Sequence, residues 1–437
     1  MTQIALVVLD TLRKDAFDNH FDWLPGQRFE NAWSPSHWTV PVHGSLFTGK
    51  YPTEHGSIAH SKALSCRDST LPETLASEGF STKGFSANPF ITPAFNFDRG
   101  FETFDGSFDN LPMFDEILDW GAFHEEYGDE GIRRFGRALL KCFQKDVDAV
   151  QSLKTGLQIK LREARDRQDK DSGITEAIEW FKSQKLSENE FVFFNLMEAH
   201  APYDKIPKKY VSGSAPRELG LQHHFEPLDE SQTAEAYNAA VSYLSDAYRT
   251  LFADLTRQMD YVITLGDHGE LLGEHEYYGH EYGLFPELTH VPLVVSGEGL
   301  ENKELDSVVS LLDVYPTVLK LAGIPSNRRG EPLLEDKMGR RAYLTEGHGL
   351  PKDRVLKLSN MGHDVERYDS VFRGIVTTDG YEYESIDGWE SHSSHKSNKL
   401  QNELKDLVEQ LEKHSETADR PDISQAALER LKANGYA

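Results

Sequence analysis

Residues 4–9 read Ile-Ala-Leu-Val-Val-Leu and stop on Asp10. Six consecutive apolar side chains, rich in β-branching and without polar alternation, are the pattern of a strand covered on both faces, as in a parallel sheet flanked by helices. The same kind of run returns at 191–194 (FVFF), 261–265 (YVITL) and 291–295 (VPLVV). The intervals are long enough for crossover helices. Two of them carry helix punctuation. Pro72 lies in the first turn of PETLASEG, which stops at Gly79, and DVYPTVLKLAG, Asp313 to Gly323, has Pro316 early and Gly at its end. The recurrence predicts an α/β fold, doubly wound around a mostly parallel central sheet flanked by helices.

Outward from these strands the text changes twice. Residues 112–170 alternate charge with apolar spacing and read as a helical insertion of the kind that forms a lid. Beyond about residue 330, RAYLT (341–345), FRGIVTT (372–378) and YEYESI (381–386) are short strand candidates, and a Thr-Asp-Gly turn follows the second. They predict a small antiparallel sheet. A polar stretch at 391–398 then precedes a terminal helix, ELKDLVEQLEKH. The expected organisation is an α/β domain over 1–330 and a C-terminal α+β subdomain over 331–437.

With 437 residues, 38% of them hydrophobic, the chain is globular in composition and long enough for a large core. Its 46 Lys and Arg against 72 Asp and Glu give a formal charge of −26, which repels polyanions and argues against nucleic acid or an anionic membrane as partner. Cys66 and Cys142 are too few for a disulfide framework or a thiolate zinc site. No run approaches the roughly 18 apolar residues of a membrane span, and the N-terminal segment has no basic leader. These features read as a soluble cytoplasmic protein without membrane insertion, of unspecified oligomeric state.

In open α/β sheets ligands bind beyond the carboxyl ends of the strands. Asp10 follows IALVVL there, and Asp267 and His268 follow YVITLG in TLGDHGELLGEH, where Gly266 and Gly269 allow a tight turn. Two carboxylates and an imidazole at one sheet edge are suited to a divalent cation. A third element, SPSHWTVPVHGSLFTGKYPTEHG (34–56), places Thr39 before Pro41 and ends a helix at Gly49. Thr39 would sit at the helix N-terminus, where the dipole favours an alkoxide or a bound anion, or where it serves only as a cap. A hydroxyl is a poor nucleophile at neutral pH and needs a base or a metal beside it.

VVLDTLRKD, TVPVHGSLFTGKYP, FNLMEAHAPY, DHGELLGEH…GH and SLLDVYPTVLKLAGIP follow one another in an order and spacing that resemble the sulfatase family of the alkaline phosphatase superfamily. The likeness runs from Ile4 to about Pro325. It implies Asp10, Asp267 and His268 as metal ligands and Thr39 as nucleophile and further ligand. It also implies that His200 and His280 contact the transferred group or protonate the leaving group, and it puts Asn88 where the family binds the sulfate. Arg13 and His43, from their type and their place beside these blocks, complete the candidates for substrate binding. Three departures stand out. Sulfatases carry Cys or Ser in a Cys/Ser-x-Pro-x-Arg signature converted to formylglycine, whereas residues 39–43 here are Thr-Val-Pro-Val-His, and threonine cannot become that aldehyde. Thr11 stands where a second acidic ligand is usual, and SANPF, with Asn88, where a Lys/His pair is usual.

The resemblance therefore implies a metal-dependent hydrolase of phosphoric or sulfuric esters that works through a covalent Thr39 intermediate. One cation (Ca, Mg, Mn or Zn) with flanking histidines suits a small monoanionic substrate such as a phosphodiester or phosphonate monoester. Glu198, His200 and His348 leave room for a second metal. Alternatives are a sulfate ester hydrolase using Thr39 without formylglycine, a phospho-group transferase, and an inactive metal-binding scaffold. Arg13 and Lys50 either orient substrate or pair with neighbouring carboxylates, Glu270 and Glu274 read as loop carboxylates, and His290 as a partner of the sheet edge.

Overall fold

In a computed structural model, which describes residues 1–106, 171–211, 216, 218–335, 341–392 and 398–413, the first apolar run forms strand β1 (Thr2–Leu9). The later elements of the main sheet are β2 (Gln27–Trp33), β3 (Ser81–Ser86), β4 (Thr103–Gly106), β5 (Asn189–Leu196) and β6 (Tyr261–Leu265). A two-strand hairpin, β7 (Leu271–Leu272) and β8 (Tyr278–Gly279), precedes β9 (Leu293–Gly297) and β10 (Lys303–Ser310), which rejoin the sheet. Its order is β10-β2-β9-β6-β1-β5-β3-β4. Every neighbouring pair is parallel except those of β9, which runs against both β2 and β6. The sheet is thus mostly parallel, and the VPLVV run is its one reversed strand among those described.

Continuous apolarity in β1 follows from burial on both sides. Ala5, Val7 and Leu9 pack toward the long helix Glu230–Leu255, through Tyr237, Leu244 and Leu251. Ile4, Leu6 and Val8 pack toward the helices Thr39–Thr48 and Val314–Leu321, through Val40, Leu46, Phe47 and Val318. Burying one such aliphatic side chain contributes ~1.5–3 kcal/mol, so a polar substitution in β1 damages one of two cores whichever way it points.

The C-terminal segment forms an antiparallel sheet of β11 (Ala342–His348), β12 (Val371–Thr377), β13 (Gly380–Ser385) and β14 (Gly388–Ser391). It is seated on the main body by Leu284, Phe285 and Leu288 against Tyr343, Val376 and Tyr381. Leu344 and Ile375 meet Tyr51, Leu312 and the helix Asn398–Glu409 on its other side. The helical insertion expected at 112–170 lies outside the described residues. No described helix is long and apolar enough to cross a membrane.

Candidate active site

Strands β6, β1, β5 and β3 are consecutive neighbours, so their carboxyl ends form one ledge. Register puts Val8 opposite both Leu265 and Asn195, and Asn195 opposite Ser86. Asp10, Asn195, Asn88, Asp267 and His268 consequently converge. Gly266 and Gly269 serve this ledge by close approach, with ordinary φ rather than the left-handed turn. A Cβ at Gly266 would stand 2.6 Å from the Leu12 carbonyl, and one at Gly269 would collide with the Glu287 carbonyl. Thr11, in contrast, holds φ 58°, unusual for a β-branched residue. Its strained backbone aims its N–H at Asp267 Oδ1, 3.2 Å away.

The fourth wall is the N-terminus of the helix Thr39–Thr48. Trp38 is the N-cap residue and Thr39 the first helical one. Thr39 Oγ1 lies 3.5 Å from both carboxylate oxygens of Asp10 and 3.1 Å from His268 Nε2. His268 Nδ1 is 2.9 Å from the Gly269 carbonyl, which can only accept, so Nδ1 carries the hydrogen and Nε2 presents its lone pair to Thr39. At the far end of the helix Gly49 closes it at φ 62°.

Asp10, Asp267 and His268 are fully buried, and one ligand atom from each lies within 4.8 Å of the others. Asp267 Oδ2 has no hydrogen-bond partner. Burial, then the Asp10 charge, push the Asp267 carboxyl well above the usual range, while burial and the nearby His280 hold the His268 imidazole well below its own. Two buried carboxylates with an orphaned oxygen and an imidazole lone pair fit a divalent cation; hard oxygen donors suit Ca, Mg or Mn, and the nitrogen keeps Zn eligible. Among the described residues this is the one such grouping, and Glu198, His200 and His348 do not form another.

His280 and His200 stand at the mouth, their ring centroids 5.2 Å apart, and His280 is 4.6 Å from His268. His280 Nδ1 is 2.7 Å from Glu270 Oε1, and Tyr203 donates to the other oxygen at 3.1 Å. Burial alone would lower the His280 pKa; the charge and hydrogen bond of Glu270, with Asp10, outweigh it and raise it above the ordinary value. His200 is shifted down by burial and by His280. Glu270, read as a loop carboxylate, is therefore the partner of His280, and Asn195, hidden in a strand, is a site residue that sequence reasoning passed over.

The three residues expected to bind substrate each find partners within the protein. Arg13 is spent on Asp15 (2.8 Å), Glu274 (2.6 Å) and the Glu270 carbonyl (3.0 Å). Asn88 donates to Asp10 Oδ2 at 2.9 Å and accepts from the Phe90 N–H. His43 is fully buried with both ring nitrogens engaged, by Thr39 O at 2.9 Å and Asn195 Nδ2 at 2.8 Å. In each case a buried polar group finds its partner inside the protein. Lys50 pairs with Asp68 at 2.5 Å, and His290 with the Glu30 carbonyl at 2.7 Å.

Glu198, two residues before His200, accepts from the Ile174 N–H at 2.7 Å and leaves Oε2 without a partner. Burial, then the Asp171 charge, lift its pKa to about 8. A carboxyl raised in the folded state destabilises as pH climbs above the unfolded value and does so in full above the folded one. Glu198→Gln is therefore expected to melt at least about 2 °C above the unchanged chain at pH 9 and to converge with it near pH 5. Thermal scans across that range check it; a gap that is equal at both ends contradicts the assignment.

The sulfatase family model matches residues 19–324. Bovine arylsulfatase K is 44% identical over 80 residues, which is 18% of this chain and 15% of that protein. An Escherichia coli K12 sulfatase, YidJ, is 31% identical over 123 residues, 27% of this chain and 23% of that one. The matched stretches thus span less than a quarter of these relatives. Among solved structures, a phosphonate monoester hydrolase from Silicibacter pomeroyi superposes with a TM-score of 0.61 at 14% identity, covering 96% of this chain and 100% of that one. A 2-O GAG sulfatase gives 0.61 at 14%, covering 98% and 99%. At such identity the superpositions speak for the fold.

Proposed function

Since the chain belongs to the sulfatase family, we propose that it is a metal-dependent hydrolase of monoanionic phosphoric or sulfuric esters that works through a covalent ester on Thr39. The observation that carries this reading is the seat of Thr39 Oγ1 between Asp10 and His268 at a helix N-terminus.

Asp10, Asp267, His268 and Thr39 would hold the cation, which when bound supplies the positive charge that favours an alkoxide and offsets the charge of the transferred group. Thr39 Oγ1 passes its proton to the Asp10 carboxylate, 3.5 Å away, and attacks phosphorus or sulfur in line, while the bond to the leaving oxygen breaks. The helix N-terminus favours the anionic group beside it. His280, protonated and held through Nδ1 by Glu270, gives the proton of its other nitrogen to the leaving oxygen. Now neutral, it accepts a proton from the water that attacks the Thr39 ester; the bond to Thr39 Oγ1 breaks, and that oxygen takes its own proton back from Asp10.

Charge supports the monoanion. Arg13, Lys50 and Lys83 are each committed to carboxylates, and a site whose positive groups among the residues described above are one divalent cation and His280 suits one negative charge better than two. Bis-nitrophenyl phosphate and nitrophenyl phenylphosphonate should turn over at least about tenfold faster in kcat/KM than nitrophenyl phosphate. Nitrophenyl sulfate, the remaining monoanion, separates phosphorus from sulfur chemistry. A clear preference for the dianionic monoester would defeat the charge argument, and release of product only with an added alcohol would make the protein a transferase.

A further inference from the structure

The Thr-Val-Pro-Val-His segment ends on a histidine whose imidazole sits behind the proposed nucleophile, remote from solvent. The Thr39 carbonyl, 2.9 Å from His43 Nδ1, can only accept, so that nitrogen carries the hydrogen. His43 Nε2 therefore offers a lone pair, filled by the Asn195 amide at 2.8 Å. The second hydrogen of the same amide faces Asp10 Oδ2 at 3.4 Å. A continuous path runs from the first turn of the Thr39–Thr48 helix, through an imidazole and an amide, to the carboxylate at the end of β1.

The orientation of the Asn195 amide has a cost. Its Oδ1 is fully buried and has no hydrogen-bond partner, a state worth ~1–3 kcal/mol of destabilisation. Rotating the amide would turn an oxygen toward both a nitrogen lone pair and a carboxylate, which is worse. The fold thus keeps an unsatisfied oxygen in order to keep both amide hydrogens on His43 and Asp10. His43 is steadied from the sides by the edge-on rings of Phe47 and Phe193, at 6.4 and 5.9 Å.

We propose that Asn195 and His43 are positioning residues which lock the turn bearing Thr39 to the Asp10 carboxylate, using a neutral relay that fixes both metal ligand and hydroxyl. The inference rests on the reading of Thr39 and Asp10 given above. In the relay, Asn195 orients Asp10 as Asn88 does from the other side at 2.9 Å, and His43 carries that constraint to the helix.

The test uses the full chain with Asn195→Ala, the isosteric Asn195→Asp, His43→Gln and the double variant Asn195→Ala/His43→Gln. Mn2+ affinity is measured by calorimetry, and kcat and KM with bis-nitrophenyl phosphate. Expected are an Mn2+ affinity about tenfold weaker for Asn195→Ala, kcat lower by about 10- to 100-fold in each single variant, and KM within about threefold. The double variant loses no more than the worse single, because the two residues act as one unit. Unchanged Mn2+ affinity, or kcat losses that multiply in the double variant, would overturn the relay. Should Asn195→Ala not fold, Asn195→Asp keeps the shape while replacing the donor by a carboxyl, and its kcat loss is read in the same way; Mn2+ affinity is then read on His43→Gln, where it should also fall. If the unchanged chain hydrolyses none of the esters, the functional reading fails on its own, and the Mn2+ titrations still decide the relay.

Discussion

Thr39→Ala is expected to lower ester turnover by at least about a thousandfold, the usual scale for loss of an activated nucleophile, with little change in thermal stability. Thr39 opens its helix, alanine is the better helix former, and the hydroxyl bonds given up are those to Asp10 and His268. Thr39→Ser keeps an oxygen at the same place and loses only a methyl group, so it should retain activity within about one hundredfold of threonine. Acid quenching during turnover of a phosphonate ester should leave the group on the peptide that contains Thr39 in the unchanged chain and in Thr39→Ser, and on no peptide of Thr39→Ala. Turnover in Thr39→Ala above about a tenth of the original would show that water attacks directly, with the hydroxyl as a bystander.

Much of this ledge could be read from the chain because each residue concerned announces a local constraint. Asp10 terminates a run of six apolar residues, Asp267 and His268 sit between two glycines after another, and Thr39 precedes a proline and a helix stop. What stayed hidden was relational. An apolar run of five does not state its direction, so VPLVV reads like its neighbours although β9 is reversed. Asn195 looks like one more residue of a buried strand, and only the pairing of β5 beside β1 turns its amide toward Asp10. Glu270 became a partner of His280 because the β7–β8 hairpin folds position 280 back over it. For Arg13 and His43 residue type and position suggest a substrate contact, whereas the fold also gives each of them partners of its own. A cation beside an active site has carboxylates to satisfy as well as anions to bind, and Arg13 meets Asp15 and Glu274.

Removing the cation should affect both activity and stability, and the pH dependence of the stability term identifies the ligand involved. Chelation is expected to lower turnover by at least about one hundredfold, reversibly on return of Mn2+, Mg2+, Ca2+ or Zn2+, whichever the site prefers. With the free ion about one hundredfold above its dissociation constant, binding stabilises the fold by about 2.7 kcal/mol. In the chelated protein the Asp267 carboxyl, raised first by burial and then by Asp10, retains its proton above the unfolded value of about 3.9. The native state then binds more protons than the unfolded one, so stability falls as pH rises through that window and stays reduced above it. With the ion bound, Asp267 is ionised and the window closes. The gap in melting temperature between loaded and chelated protein should therefore widen from pH 5.5 to 8.5. Asp267→Asn should remove the gap at every pH, melt above the chelated unchanged chain at pH 8, and be inactive. A gap independent of pH, or one that survives Asp267→Asn, would place the cation elsewhere than between Asp10 and Asp267.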